Sequence, residues 1–263
     1  FNIIINKNKM NACNLSEEQN LEINLERLKG NIMSIKSNFI LKKAFNFLQQ
    51  RKKLEMIKYN KSIMKRLNIN INDYKEYNEI EIEIIPHKNK YGNFINIQNK
   101  ENKKYFHICF NNDKETTNRT YLIENEKVSQ IIIKLELNVD SFDSLFLNCV
   151  CIKSINFKKF HRKNIINMKR MFQGCSSLET INLYNFQTEN VTDMSSMFFG
   201  CSSLKEIIFS DFNIDNINDT SYMFYGCSSL KDLNVSYFNK DKIKNKKYMF
   251  YGCSFELKKK LKN

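Results

Sequence analysis

A cysteine returns at a fixed interval through the second half of this chain: Cys149, Cys175, Cys201, Cys227 and Cys253 are each 26 residues apart. Other residues keep the same register. Leu178, Leu204 and Leu230 align, as do Ile155, Ile181, Ile207 and Leu233, and then Phe160, Phe186, Phe212 and Phe238. A unit of roughly 20–50 residues cannot bury its apolar face alone, so a period of this length means stacked copies sharing one continuous core. About five copies are present, the last degenerate.

Within one unit, "CSSLETINLYNFQTENVTDMSSMFFG" (175–200), the apolar residues fall first as L-x-x-I-x-L-x-x-F. The Ile181/Leu183 alternation predicts a short strand. Val191, Met194, Met197, Phe198 and Cys201 then follow at helical spacing, with Thr192 and Asp193 placed to satisfy backbone N–H groups at a helix start. Gly174, Gly200, Gly226 and Gly252 come just after, where a chain leaving a helix needs positive φ. The expected unit is strand, bend, short helix, glycine stop. Stacked, such units predict parallel strands on one side and short helices on the other. In the last copy, Glu256 and Lys259 stand at apolar positions of the earlier ones, as an end facing water requires.

The unit LxxIxLxxFxTxNVTDMSxMFxGCSS, specific over 165–253 and weaker over 139–164, resembles the BspA-like class of leucine-rich repeats, found in surface proteins of bacteria and mycoplasmas and in large protist families. The resemblance implies a leucine-rich-repeat solenoid used for protein binding, often in adhesion, and no enzyme.

Three reactive readings of the cysteine column compete with a structural one. Zinc needs about four converging N/S ligands, and His87, His107 and His161 all lie outside the column. Neighbouring strands about 4.8 Å apart, with parallel side chains, do not suit the shorter and opposed Cβ geometry of a disulfide. A nucleophile is not needed five times. The expectation is an internal ladder in which cysteine is a small hydrophobe and weak S–H donor.

The formal charge is +14, and its distribution says more than its sum. Residues 36–66 carry ten Lys/Arg against Glu55 alone, a local +9, whereas 178–232 carry Lys205 and Lys231 against eight acids, a local −6. Glu189, Asp215 and Asp241 share the register and predict a carboxylate column, which solvation and lysines can stabilise without a metal. No run of about 18 apolar residues exists, so no membrane span is expected, and "FNIIINKNKM" does not read as a secretory leader. The sequons at Asn14, Asn60, Asn118, Asn190, Asn218 and Asn234 inform only if the protein is secreted.

The first half lacks the period. Between Leu15 and Leu67 the spacing of Leu41, Phe45 and Leu48, then of Leu54, Ile57, Met64 and Leu67, predicts two antiparallel helices. Their basic face attracts phosphate without specificity, yet no nucleic-acid-binding motif accompanies it. The stretch "SNFILKKAFNFLQQRKKLEMIKYN" is similar to the start of an F-box, which docks onto ubiquitin-ligase adaptors, but lacks its Leu-Pro opening. From 79 to 138, "EIEIEII", "NFINIQ", "YFHICF", "TYLIE" and "QIIIKLELNV" predict a small antiparallel β module capping the repeats. His107 and Cys109 fall on one strand face there and read as ordinary strand positions.

The expected architecture is therefore α+β: a helical extension at 1–78, a β module at 79–138 and a leucine-rich-repeat solenoid at 139–263. No Gly-rich phosphate loop, Gly-x-Ser-x-Gly elbow or His/Glu zinc spacing is present, so a non-catalytic protein-binding scaffold without cofactor or metal is expected. The alternative is an intracellular adaptor whose basic segment docks onto a ligase-type scaffold while the repeats select a client. Alternation along the strands turns Thr180, Asn182 and Tyr184, Glu206, Ile208 and Ser210, and Asp232, Asn234 and Ser236 outward, a strip suited to a basic protein partner with an apolar anchor.

Overall fold

The computed structural model describes residues 36, 38, 41, 61–69, 79–111, 113, 115–136, 139–160, 162, 164–184, 186, 188–209, 215–233 and 243–260. The chain divides into two compact units, 1–77 and 78–263. In the first, helix α1 (Lys61–Leu67) buries Ile63. Its Arg66 donates from Nε to Asn38 Oδ1 at 2.7 Å and from Nη2 to the Lys36 carbonyl at 2.9 Å. The rest of the expected helix pair, and most of the F-box-like stretch, lie outside the described residues.

In the second unit the five β-rich runs of 79–138 each contribute a strand. These are β1 (Ile80–Pro86), β2 (Gly92–Asn93), β3 (Phe106–Phe110), β4 (Tyr121–Leu122) and β5 (Ile131–Leu135). The repeats add β6 (Ile152–Lys159), β7 (Thr180–Leu183) and β8 (Glu206–Phe209). β2 and β4 pair antiparallel, and the other six form one sheet in the order β3-β5-β1-β6-β7-β8. The Ile/Glu alternation of β1 buries Ile80, Ile82 and Ile84 and turns the glutamates outward.

The leucine-rich-repeat solenoid expected from the period is not what forms, and two findings overturn it. First, the sheet is mixed: β1 pairs antiparallel with both β5 and β6, while only β6–β7 and β7–β8 are parallel. The β module and the repeats thus share one sheet. Second, the half of each copy expected to be helical is a series of turns, and the helices among the described residues of the second unit are a 3-10 helix (Lys100–Tyr105) and α2 (Phe255–Lys260).

The reason lies in where the backbone N–H groups go. In the turn at 194–200, Met194, Ser196, Phe198 and Gly200 donate to the carbonyls of Asp219, Ser221, Met223 and Tyr225 in the next copy, at 2.7–2.9 Å. A helix would instead direct them four residues back along their own chain. Ser196 sits at φ 57° and Gly200 at φ 72°, left-handed values that interrupt a right-handed helix. The equivalent residues Ser144, Arg170, Tyr222 and Tyr248 also have positive φ. The same four-bond pattern joins the turns at 142–148, 168–174, 194–200, 220–226 and 246–252 into a column.

Side chains reinforce that column. Asn167, Asp193, Asp219 and Asn245 each accept the N–H two residues on with Oδ1, at 2.9, 2.8, 2.7 and 3.3 Å. These are Asx turns, which is how Asp193 acts in place of the expected helix cap. Phe146, Phe172, Phe198, Phe224 and Phe250 stack in sequence with centroids 5.3–5.5 Å apart. Beside them Cys175, Cys201, Cys227 and Cys253 donate S–H to the carbonyls of Phe146, Phe172, Phe198 and Phe224 at 3.0–3.1 Å. All four are buried free thiols. A carbonyl between two stacked turns thus receives a weak donor that occupies little volume, which explains why cysteine suits the position.

Candidate partner-binding face

The outward side of the six-stranded sheet is built by alternation on each strand and by register between strands. One row crosses the sheet as Cys109, Ile132, Glu83, Asn156, Asn182 and Ile208, and a second as Ile85, Ser154, Thr180 and Glu206. Of the strip expected from the sequence, Thr180 and Asn182 stand beside Glu206 and Ile208 on this side, and Tyr184 follows directly after the end of β7. Tyr184 is 59 % exposed and Ile208 41 %. Asn182 Oδ1 accepts the Tyr184 N–H at 2.9 Å, fixing the chain where it leaves β7. Ser210, Asn234 and Ser236 lie outside the described residues.

Asp232 is exposed, but its carboxylate is taken up by Lys260 of α2 at 2.7 Å, and the hydrogen bond from Lys260 holds its pKa below the ordinary value. Glu179 is likewise joined to Lys205 at 2.8 Å, with the same effect on its carboxyl. The net negative charge of 178–232 is thus partly neutralised by lysines, and among the described residues Glu206 is the carboxylate of the strip with no ion pair. Of the expected carboxylate column, Glu189 and Asp215 are described and Asp241 is not; Asn216 Nδ2 donates to the Glu189 carbonyl.

The sequence reading missed the continuation of the face onto the β module. Glu83 collects Lys158 Nζ at 2.9 Å, Asn156 Nδ2 at 3.4 Å and Gln130 Nε2. Burial pushes its carboxyl up, but these hydrogen bonds and the Lys158 charge outweigh that and leave the pKa below the ordinary value. The alternation in "EIEIEII" is the local signal that could have placed Glu83 outward. Which strand would neighbour the repeats had no local signal.

His107 and Cys109 share the outward side of β3, and His107 Nε2 lies 3.4 Å from Glu136 Oε1. Among the described residues no three His, Cys, Asp or Glu side chains gather as a metal site. No helix among them is long and apolar enough to cross a membrane.

Residues 140–263 are similar to the family described as "Mycoplasma protein of unknown function, DUF285". The match takes in the repeats and assigns them no activity. No curated protein matches the chain, and no solved structure does.

Proposed function

We propose that residues 79–260 form a non-catalytic protein-binding scaffold whose outward sheet face receives a partner. The observation that carries this reading is the exposure of Ile208 beside Glu206 on β8, whose backbone is fixed by parallel pairing with β7, and of Tyr184 at the first position past β7. Two apolar anchors next to a carboxylate suit a basic protein partner, because apolar area supplies affinity and the charge selects orientation. The adhesion use implied by the BspA-like resemblance of the repeat agrees with this reading. The test is a pull-down from the native source with the full chain and with a Tyr184→Ala, Ile208→Ser, Glu206→Lys variant, with melting measured on both. These exposed changes leave melting nearly unaltered. Loss of the same partner from the variant supports the face, and equal capture by both rejects it.

A further inference from the structure

The two ends of the turn column differ. At its first end the carbonyls that a preceding copy would meet are closed by the β module. Asn96 donates its N–H to Leu145 O at 2.7 Å and its Nδ2 to Leu147 O at 2.6 Å, and Gln98 Nε2 reaches Asp143 O at 3.2 Å. At the last end, the turn at 246–252 presents the N–H groups of Tyr248, Phe250 and Gly252. Their equivalents Tyr222, Phe224 and Gly226 donate to the carbonyls of Lys247, Met249 and Tyr251 at 2.8–2.9 Å. Among the described residues no acceptor meets these three N–H groups.

The stretch that carries this row is predominantly basic and apolar. Residues 243–260 hold six lysines against the single acid Glu256, and Lys244, Lys246, Lys247, Lys258 and Lys259 are exposed. Tyr248, Tyr251 and Phe255 are 50, 59 and 79 % exposed. Leu257 of α2 is buried in the core, and no residue of α2 accepts a hydrogen bond from the N–H row. A second copy of this chain does not fit. Its first end has no open carbonyl row to offer, and two last ends would meet donor to donor.

We propose that the last end of the turn column is a docking edge for an acidic, extended peptide segment of another protein. Carbonyls of alternate residues take the three N–H groups, as neighbouring copies do four times within the fold. Acidic side chains meet the lysines, and an apolar residue packs on Tyr251 and Phe255. This edge is separate from the sheet face above and does not depend on it.

The test uses the full-length protein and three labelled probes: a Glu/Tyr copolymer, a Lys/Tyr copolymer and a thymidine oligonucleotide. Binding is read by fluorescence anisotropy, and the amide signals of Tyr248, Phe250 and Gly252 by NMR. The Glu/Tyr copolymer binds, shifts those three amides and slows their exchange. Lys247→Glu with Lys258→Glu weakens it about tenfold or more, while Glu206→Lys leaves it unchanged. Absence of binding overturns the proposal, and so does binding that leaves the three amides unmoved, which is charge attraction alone. Amide shifts produced by the oligonucleotide and not by the copolymer also overturn it, in favour of a nucleic-acid edge.

Discussion

The turn side and the strand side of the repeats are held together to different degrees. Four backbone hydrogen bonds join each neighbouring pair of turns through the last copy, and phenylalanine, cysteine and Asx columns run alongside them. On the strand side, β6 pairs with β7 over three residues and β7 with β8 over four. Even the inward residues of β8, Ile207 and Phe209, are half-buried. The lesson is that the regularity of a repeat reports which side bears the packing. Here "MFxGCSS" is the most constant part of the text, and it is the part that stacks most tightly.

A pair of truncations separates the two sides. Phe198 is fully buried between Phe172 and Phe224, so Phe198→Ala is expected to cost about 3–5 kcal/mol, a buried aromatic truncation with a cavity. Ile207→Ala on β8 should cost about 1 kcal/mol, because the site is already half open. Urea unfolding of both decides it, and equal losses would mean that the strands bear as much as the turns.

Alkaline unfolding isolates the thiols of the turn side. Burial pushes Cys175 up to about 12 from an ordinary 9.0, and Cys201 is raised well above that ordinary value, again by burial. The folded state keeps these thiols neutral while unfolded ones ionise, so their contribution is whole below pH 9 and is lost as pH rises toward 12. Each thiol adds about 1.4 kcal/mol of loss per pH unit in that window. Stability measured by urea at successive pH values should therefore fall steeply above pH 9, and less steeply in Cys201→Ala.

Backbone conformation gives the next effect. Gly200 has φ 72°, and an added Cβ there would meet nothing closer than the Gly174 Cα at 3.9 Å, so conformation and not collision sets the cost. Gly200→Ala should lose about 1–2 kcal/mol by thermal melting. At neutral pH, Cys201→Ala should cost about 1 kcal/mol, with or without reductant, since a small group and a weak donor are removed and no disulfide is broken. A large reductant-dependent change in melting would contradict the packing account. The smallest change belongs to the sheet face: Ile208→Thr is expected to stay within about 0.5 kcal/mol of the parent.

Much of the site was legible in the sequence because alternation is local: Thr180, Asn182, Tyr184, Glu206 and Ile208 follow from the L-x-x-I-x-L text and the two-residue period of a strand. Asp232 is exposed, and its pairing with Lys260 joins the last copy to α2, a contact with no local signal in the sequence. The helix expected at 191–201 failed for a related reason. Apolar residues at Val191, Met194, Met197, Phe198 and Cys201 face one side both in a helix and in a stacked turn. The choice between them rests on whether a neighbouring carbonyl is there to take alternate N–H groups.

The 26-residue stack, its glycine and cysteine columns and the outward positions of the repeat strands could be read from the sequence, because these follow from short-range period and stereochemistry. The tertiary structure alone decided that β1 sits between β5 and β6, making one mixed sheet, and that Asn96 and Gln98 close one end of the turn column. Those outcomes join residues 45 positions or more apart, and a hydrogen bond over such a separation leaves no periodic trace in the chain that makes it.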